Sequence, residues 1–178
     1  MRRLCIFCGA ATGRDTRYRD LAESVAQTVV KAGYGIVYGG GRIGLMGAVA
    51  DAALANGGDV IGVIPRSLAS TEIAHQSVSQ LHVVESMHER KALMVDLSDA
   101  FIALPGGFGT MDEFHEIVTW RQLHIHDKPI GLLNAVGFYD SLIAQFTRMN
   151  DEGFLHTDNR RLFETADSID ALLARMDL

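Results

Sequence analysis

The chain has 178 residues, 48% of them hydrophobic, with a formal net charge of −6. That length suits a single domain with a substantial core over residues 1–178. An acidic balance without a lysine- or arginine-rich run excludes a nucleic-acid or anionic-membrane footprint, and no uninterrupted apolar stretch approaches a membrane span.

Met1-Arg2-Arg3 is followed by an apolar run too short for the hydrophobic region of a signal peptide, so Leu4 to Cys8 reads as a first strand. Cys5 and Cys8 form a lone C-x-x-C; without a second pair or a histidine cluster they read as small buried hydrophobes, and they fit a reducing cytoplasm. After a turn at residues 9–13, a helix from about Asp15 to Ala32 carries Tyr18, Leu21, Ala22, Val25 and Val29 on one face and stops at Gly33. Tyr34 to Tyr38 is the second strand. Gly39-Gly40-Gly41-Arg42-Ile43-Gly44 leads into a small-residue helix, Leu45 to Ala55, and Asp59 to Ile64 is the third strand. Residues 66–78 are polar and irregular, a candidate substrate loop. Leu81 to Val84 is the fourth strand. Ser86-Met87-His88-Glu89 is a capping box opening a helix to about Leu97.

The chain is organised around the next stretch, Asp99 to Trp120. Ala100 to Leu104 is short and apolar enough for a buried strand of a parallel sheet. Pro105-Gly106-Gly107 ends it, and from Thr110 a helical pattern places Met111, Phe114, Ile117 and Val118 on one face. A glycine turn feeding a helix start leaves several backbone N–H groups aimed at one spot, backed by the positive helix end, and that suits a phosphate. Glu113 stands one turn in, beside whatever the phosphate carries. It has a structural alternative: Thr110-Met111-Asp112-Glu113 fits S/T-x-x-E, a capping box in which Glu113 merely bonds back to Thr110. A sixth strand at Pro129 to Leu133 and a helix from about Phe138 to Asp151 follow; Gly153 to Glu164 connects to a last helix, Ser168 to Met176.

This alternation predicts an α/β fold with a parallel sheet and helices on both faces. Ligands in such sheets sit beyond the carboxyl ends of the strands. The turns after Cys8, Tyr38 and Ile64 should converge there with Pro105 to Glu113, and Ser86 to Lys91 lies close by.

Weaker motifs have simpler explanations. Gly39-x-Gly41-x-x-Gly44 matches a dinucleotide fingerprint but follows the second strand, and Asp59 falls at the start of the next strand rather than its far end. Arg90 and Lys91 sit in a first helical turn, where the dipole disfavours cations; they read either as a solvated pair or as binders of an anion. His124-x-His126 fits a loop or interface better than a metal site, and Glu113 with Glu116 lacks the further ligands a metal needs.

Pro105-Gly106-Gly107-Phe108-Gly109-Thr110-Met111-Asp112-Glu113 resembles PGGxGTxxE, the signature of the LOG ("Lonely guy") family. Phe7-Cys8-Gly9, Tyr38 to Gly47, Gly62 to Pro65, Met87-His88-Glu89-Arg90-Lys91, Thr119-Trp120, Gln122-Leu123 and His126 to Pro129 also match, covering roughly residues 4–155. The resemblance implies a Rossmann-like homodimer, and the chemistry of its reaction requires no metal or organic cofactor. Its reaction would be cleavage of the N-glycosidic bond of a cytokinin nucleoside 5'-monophosphate, or of AMP, to free base and ribose 5-phosphate. By position, it implies that Glu113 and Arg90 are catalytic. Glu72, Lys91, Gly106, Gly107, Phe108, Gly109, Thr110, Met111, Asp112 and Thr119 would contact substrate, with Gly9, Gly40 and Gly41 in the neighbouring turns. Ala10-Ala11 stand where relatives often carry two serines. Two other functions compete: a non-catalytic nucleotide-binding module, and a pyridoxal-phosphate lysine decarboxylase, the family's old label, for which only Lys91 of the three lysines is placed.

Overall fold

The computed structural model describes residues 1–69, 74–155 and 161–178. Seven strands form one sheet: β1 (Arg3–Phe7), β2 (Gly35–Tyr38), β3 (Val60–Pro65), β4 (Gln80–Val84), β5 (Ala100–Ala103), β6 (Ile130–Leu133) and β7 (Glu164–Ala166). Their order is β4-β3-β2-β1-β5-β6-β7 and every neighbouring pair is parallel. The inner strands are apolar along nearly their whole length because helices cover both their faces; β1, for example, buries Leu4, Cys5, Ile6 and Phe7 after Arg3 at its start. The edge strand β4 is mostly half-buried or exposed and carries Gln80 and His82.

Two cores result. On one face α1 (Arg17–Lys31), α2 (Gly44–Ala55) and α7 (Ile169–Arg175) pack Val25, Val29, Val49 and Leu172 against Leu4, Ile6, Ile36 and Ile102. On the other, α4 (Met87–Asp96), α5 (Phe108–Gln122) and α6 (Asp140–Asp151) pack Met94, Phe114, Ile117 and Phe146 against Cys5, Val37, Phe101 and Leu132. Cys5 and Cys8 fall in opposite cores, so the C-x-x-C is two separate packing residues with free thiols.

Three expectations needed correction. The connection before the last helix contains a seventh strand, β7, paired Gly131↔Glu164 through Leu133↔Ala166. Residues 66–78 are not wholly irregular: Arg66–Ala69 form a short helix, α3, and Ala74 makes an antiparallel bridge to Gly41. Glu72 lies outside the described residues. Finally, α5 begins at Phe108 with Gly107 as N-cap, two residues before the expected start at Thr110. Of the capping box expected at Ser86, one half forms: its Oγ accepts from the Glu89 N–H at 3.1 Å, but Glu89 Oε2 accepts from the Glu85 N–H at 2.9 Å, one residue before the N-cap.

Candidate active site

The chain runs outward from β1 through β2 and β3 to β4, then returns to place β5 on the other side of β1. Connections on the two sides of that switch point leave a crevice beyond the strand ends. Here the turn after β1 is fastened across it. The Gly9 N–H donates to the Pro105 carbonyl at 3.1 Å, and the Gly9 carbonyl accepts from the Leu45 N–H at 3.0 Å, where α2 begins. Gly44 makes that approach possible: its φ is +66°, and a Cβ there would lie 2.2 Å from the Ala10 backbone.

A cavity of about 550 Å³ fills the crevice. In sheet order it reaches from Phe138 after β6, past Gly106–Thr110 after β5 and Cys8–Gly13 after β1, to Gly39 after β2, Leu68 after β3 and Met87 after β4. Its volume is that of a small-molecule site.

One wall is the N-terminus of α5. The first intrahelical bond runs from the Met111 N–H to the Gly107 carbonyl at 3.1 Å, so the N–H groups of Phe108, Gly109 and Thr110 have no partner within the helix. Because the helix starts before Thr110, that residue is not the N-cap, and Glu113 is not its capping partner. The chain is bare at Gly106 for a steric reason: a Cβ would sit 2.1 Å from Thr110 Oγ1 and 2.9 Å from the Gly9 nitrogen. Thr110 is buried, whereas Phe108 is 97% exposed at the rim.

Deeper in the cavity stands an ion pair between α4 and α5. Arg90 Nη1 donates to Glu113 Oε1 at 2.7 Å, and Arg90 Nε donates to the Val63 carbonyl at 3.0 Å. Each residue is only 7% exposed. The guanidinium lies against bare backbone, since a Cβ on Gly39 would come within 2.1 Å of Arg90 Nη2. Burial pushes the Glu113 carboxyl above the usual glutamate range, partly opposed by Arg90. Burial, reinforced by the nearby Glu113 charge, pushes the Cys8 thiol up as well and keeps it protonated.

Of the residues named from the sequence, the structure brings together Gly9, Arg90, Gly106, Gly107, Phe108, Gly109, Thr110 and Glu113 around the cavity. It puts Met111, Asp112 and Thr119 outside the cavity wall, in a shallow depression along α5 with His115, Glu116 and Trp120, which adjoins the cavity at Phe108, a residue that lines both. Lys91 is not in the cavity wall; its Nζ contacts Asp112 and Glu116, at 3.0 Å each. Gly40 and Gly41 back onto the loop after β3, the Gly40 carbonyl accepting from the His75 N–H at 3.0 Å. His126 is a structural residue, with Nε2 2.9 Å from the Ile117 carbonyl and Nδ1 accepting from the Lys128 N–H. Among the described residues no group of three or more His, Cys, Asp or Glu side chains could hold a metal ion.

Sequence reasoning missed the apolar lining: Tyr18, Leu45, Met46, Leu68, Met87 and Phe138. Tyr18 and Phe138 meet edge to face, ring centroids 5.6 Å apart, though 120 residues separate them. Met87 carried a usable signal, since it opens the helix that bears Arg90.

The family described as "possible lysine decarboxylase" matches residues 46–176. A probable cytokinin riboside 5'-monophosphate phosphoribohydrolase of Oryza sativa subsp. japonica, LOGL1, is 49% identical over 98% of this chain and 78% of its own length. The Arabidopsis thaliana cytokinin riboside 5'-monophosphate phosphoribohydrolase LOG2 is 46% identical over 99% of this chain and 83% of its own. Among solved structures, the molybdenum cofactor binding protein of Rippkaea orientalis superposes with a TM-score of 0.74 at 20% identity, over 99% of this chain and 96% of that one. The molybdenum cofactor carrier protein of Chlamydomonas reinhardtii gives 0.73 at 19%, over 99% and 97%. At such identities these two speak for the fold alone.

Proposed function

The chain belongs to the LOG family of cytokinin riboside 5'-monophosphate phosphoribohydrolases, and from that premise we propose how it works. It hydrolyses the N-glycosidic bond of a nucleoside 5'-monophosphate, a cytokinin nucleotide or AMP, to free base and ribose 5-phosphate. The observation that carries this reading is the buried Arg90–Glu113 pair inside a cavity walled by the N-terminus of α5. The N–H groups of Phe108, Gly109 and Thr110 receive the 5'-phosphate, with the helix dipole behind them. That anchor lies over β5, so the ribose extends over β1 and β2, where Arg90 and Glu113 stand. The base then points toward β3 and β4, among Met46, Leu68 and Met87.

Water adds to C1' as the C1'–N bond breaks and its electron pair leaves with the base. Positive charge gathers on the sugar, and the Glu113 carboxylate stabilises it while taking the proton of the attacking water. The leaving base gains that proton, so one water is consumed for one base released. Arg90 holds Oε1 of Glu113, which frees Oε2 for the water. Fixing phosphate and carboxylate on one rigid helix supplies the positioning.

The same residues do not suit a pyridoxal-phosphate decarboxylase, which needs a lysine for its Schiff base. Lys91 is tied to two carboxylates outside the cavity, Lys128 Nζ donates to the Val95 carbonyl at 2.8 Å, and Lys31 ends α1. A second copy of the chain would cover the exposed Phe108, Leu123 and Ile125, in keeping with a homodimer, and the two buried free thiols suit the cytoplasm. Light scattering tests the first.

The deciding experiment is Glu113→Gln, which keeps the shape and an acceptor for Arg90. Base release from AMP and from an N6-substituted AMP should fall by about two orders of magnitude or more, while ribose 5-phosphate still binds. Undiminished turnover refutes the role of Glu113. A wild-type protein that binds nucleotides and releases no base is a binding module instead.

A further inference from the structure

We propose that Tyr139 is a positioning residue for the phosphate-binding turn: from behind the cavity wall, its hydroxyl holds the Leu104 carbonyl and so fixes how residues 105–107 leave β5. This rests on the phosphoribohydrolase reading, in which that turn and the N-terminus of α5 receive the 5'-phosphate. Tyr139 follows β6 and is 2% exposed. It does not line the cavity, so it acts on a ligand only through the backbone it holds.

The need for a hydroxyl lies in the pairing of β5 with β1. The Leu104 N–H donates to the Phe7 carbonyl at 2.8 Å. In a regular parallel ladder the next bond runs from the residue two places on, Gly9, back to the Leu104 carbonyl. Instead the Gly9 N–H passes Leu104 and donates to the Pro105 carbonyl at 3.1 Å. This slip of one residue ends the regular ladder where the turn begins, and it strands the carbonyl of Leu104, a fully buried residue. A buried carbonyl needs a donor. Tyr139 supplies it, its Oη donating at 2.5 Å. Burial pushes the phenol above its ordinary range, so the hydroxyl keeps its proton.

That hydroxyl is aimed by a closely fastened turn. The Tyr139 N–H donates to Asn134 Oδ1 at 2.7 Å, Asn134 Nδ2 donates to Asp140 Oδ1 at 2.8 Å, and the Asn134 N–H donates to the Ala166 carbonyl at 2.8 Å. Between them Val136 sits at φ +53°, in the left-handed region that a β-branched side chain rarely enters, and Gly137 follows at +69°. Such a conformation persists only where surrounding contacts over-determine it. The connection from β6 to α6 is thus a rigid mount for one hydroxyl. Without that hydroxyl, the Gly9 N–H is the donor that a regular ladder would offer the Leu104 carbonyl. Accepting from it would release the Pro105 carbonyl and re-aim the turn that presents the N–H groups of Phe108, Gly109 and Thr110.

Tyr139→Phe removes the hydroxyl alone. By calorimetry, Kd for ribose 5-phosphate should rise about five- to tenfold, while Kd for adenosine, which has base and sugar but no phosphate, stays within about twofold. KM for AMP should rise by the same factor, with kcat within about threefold. Asn134→Ala leaves the aromatic core intact and carries the test if Tyr139→Phe does not fold; it should give the same split at about three- to fivefold. An unchanged Kd for ribose 5-phosphate in folded Tyr139→Phe, with a lower urea midpoint, makes Tyr139 a core residue only and overturns the proposal. Equal losses for the two ligands mark a general deformation of the cavity and overturn it as well. A wild-type protein that binds ribose 5-phosphate yet releases no base from AMP refutes the reaction, while the binding split still decides the role of Tyr139.

Discussion

Gly39→Ala should disable this protein without replacing any ionisable residue. The new Cβ would lie 2.1 Å from Arg90 Nη2, 2.8 Å from Met46 Sδ and 3.3 Å from Arg90 Cζ. Met46 is flexible and can yield. The guanidinium cannot, because Nε is bonded to the Val63 carbonyl and Nη1 to Glu113. Ordinary contact at about 3.4 Å requires Nη2 to retreat about 1.3 Å, and the same shift along Nη1 would stretch its 2.7 Å bond to about 4.0 Å, beyond hydrogen-bonding range. Two hydrogen bonds involving a charged group contribute about 1.5–3 kcal/mol each; partial rehydration from the cavity leaves a net loss of about 2–4 kcal/mol. A displacement of that size in a positioning group also costs about a hundredfold in rate. Urea unfolding followed by circular dichroism and an assay of base release from AMP measure the two effects. Gly109→Ala is the folding control: a Cβ there meets nothing within 4 Å, so the unfolding midpoint should hold or rise. Wild-type turnover and midpoint in Gly39→Ala would refute the claim that bare backbone is what seats Arg90.

Other outcomes follow from the same geometry. Gly106→Ala forces Thr110 and the Gly9 turn apart and should weaken ribose 5-phosphate binding at least tenfold by calorimetry, with a smaller loss of stability. Ser86→Ala removes the acceptor for the Glu89 N–H and should cost about 1 kcal/mol in urea unfolding, leaving KM unchanged. Burial raises the Glu113 pKa in the folded state, so its protonated form favours folding. That contribution is full below the unfolded-state value and is lost as pH rises through the folded-state value. Stability relative to Glu113→Gln should therefore decline with rising pH across that window. The acid limb of kcat should lie above the ordinary glutamate range, and a limb within that range contradicts the assigned burial.

Much of the fold is legible in local pattern. Continuous apolar runs such as Leu4–Cys8 and Ala100–Leu104 announce buried parallel strands, and each helix between them has an apolar face. β7 escapes because Glu164-Thr165-Ala166 is three residues long, buries only Ala166 and has no hydrophobic run; its pairing with β6 makes it a strand. The start of α5 escapes because Phe108-Gly109 are poor helix formers and Thr110-x-x-Glu113 is a plausible cap. Tertiary context overrides both, since Glu113 gains an Arg90 partner that a cap would forgo.

By itself the sequence determined the parallel α/β architecture, the glycine turn that opens α5, and the carboxylate and arginine that family resemblance marks for catalysis. Those are properties of short windows, in which periodicity, turn chemistry and motif spacing suffice. Which side chains enter the cavity was decided only by the tertiary structure. Arg90 and Lys91 are neighbours in the chain, yet one turns inward to Glu113 and the other outward to Asp112 and Glu116. That division depends on how α4 and α5 pack on the sheet and on the bare backbone at Gly39. It arises from contacts between segments far apart in sequence, which no local pattern encodes.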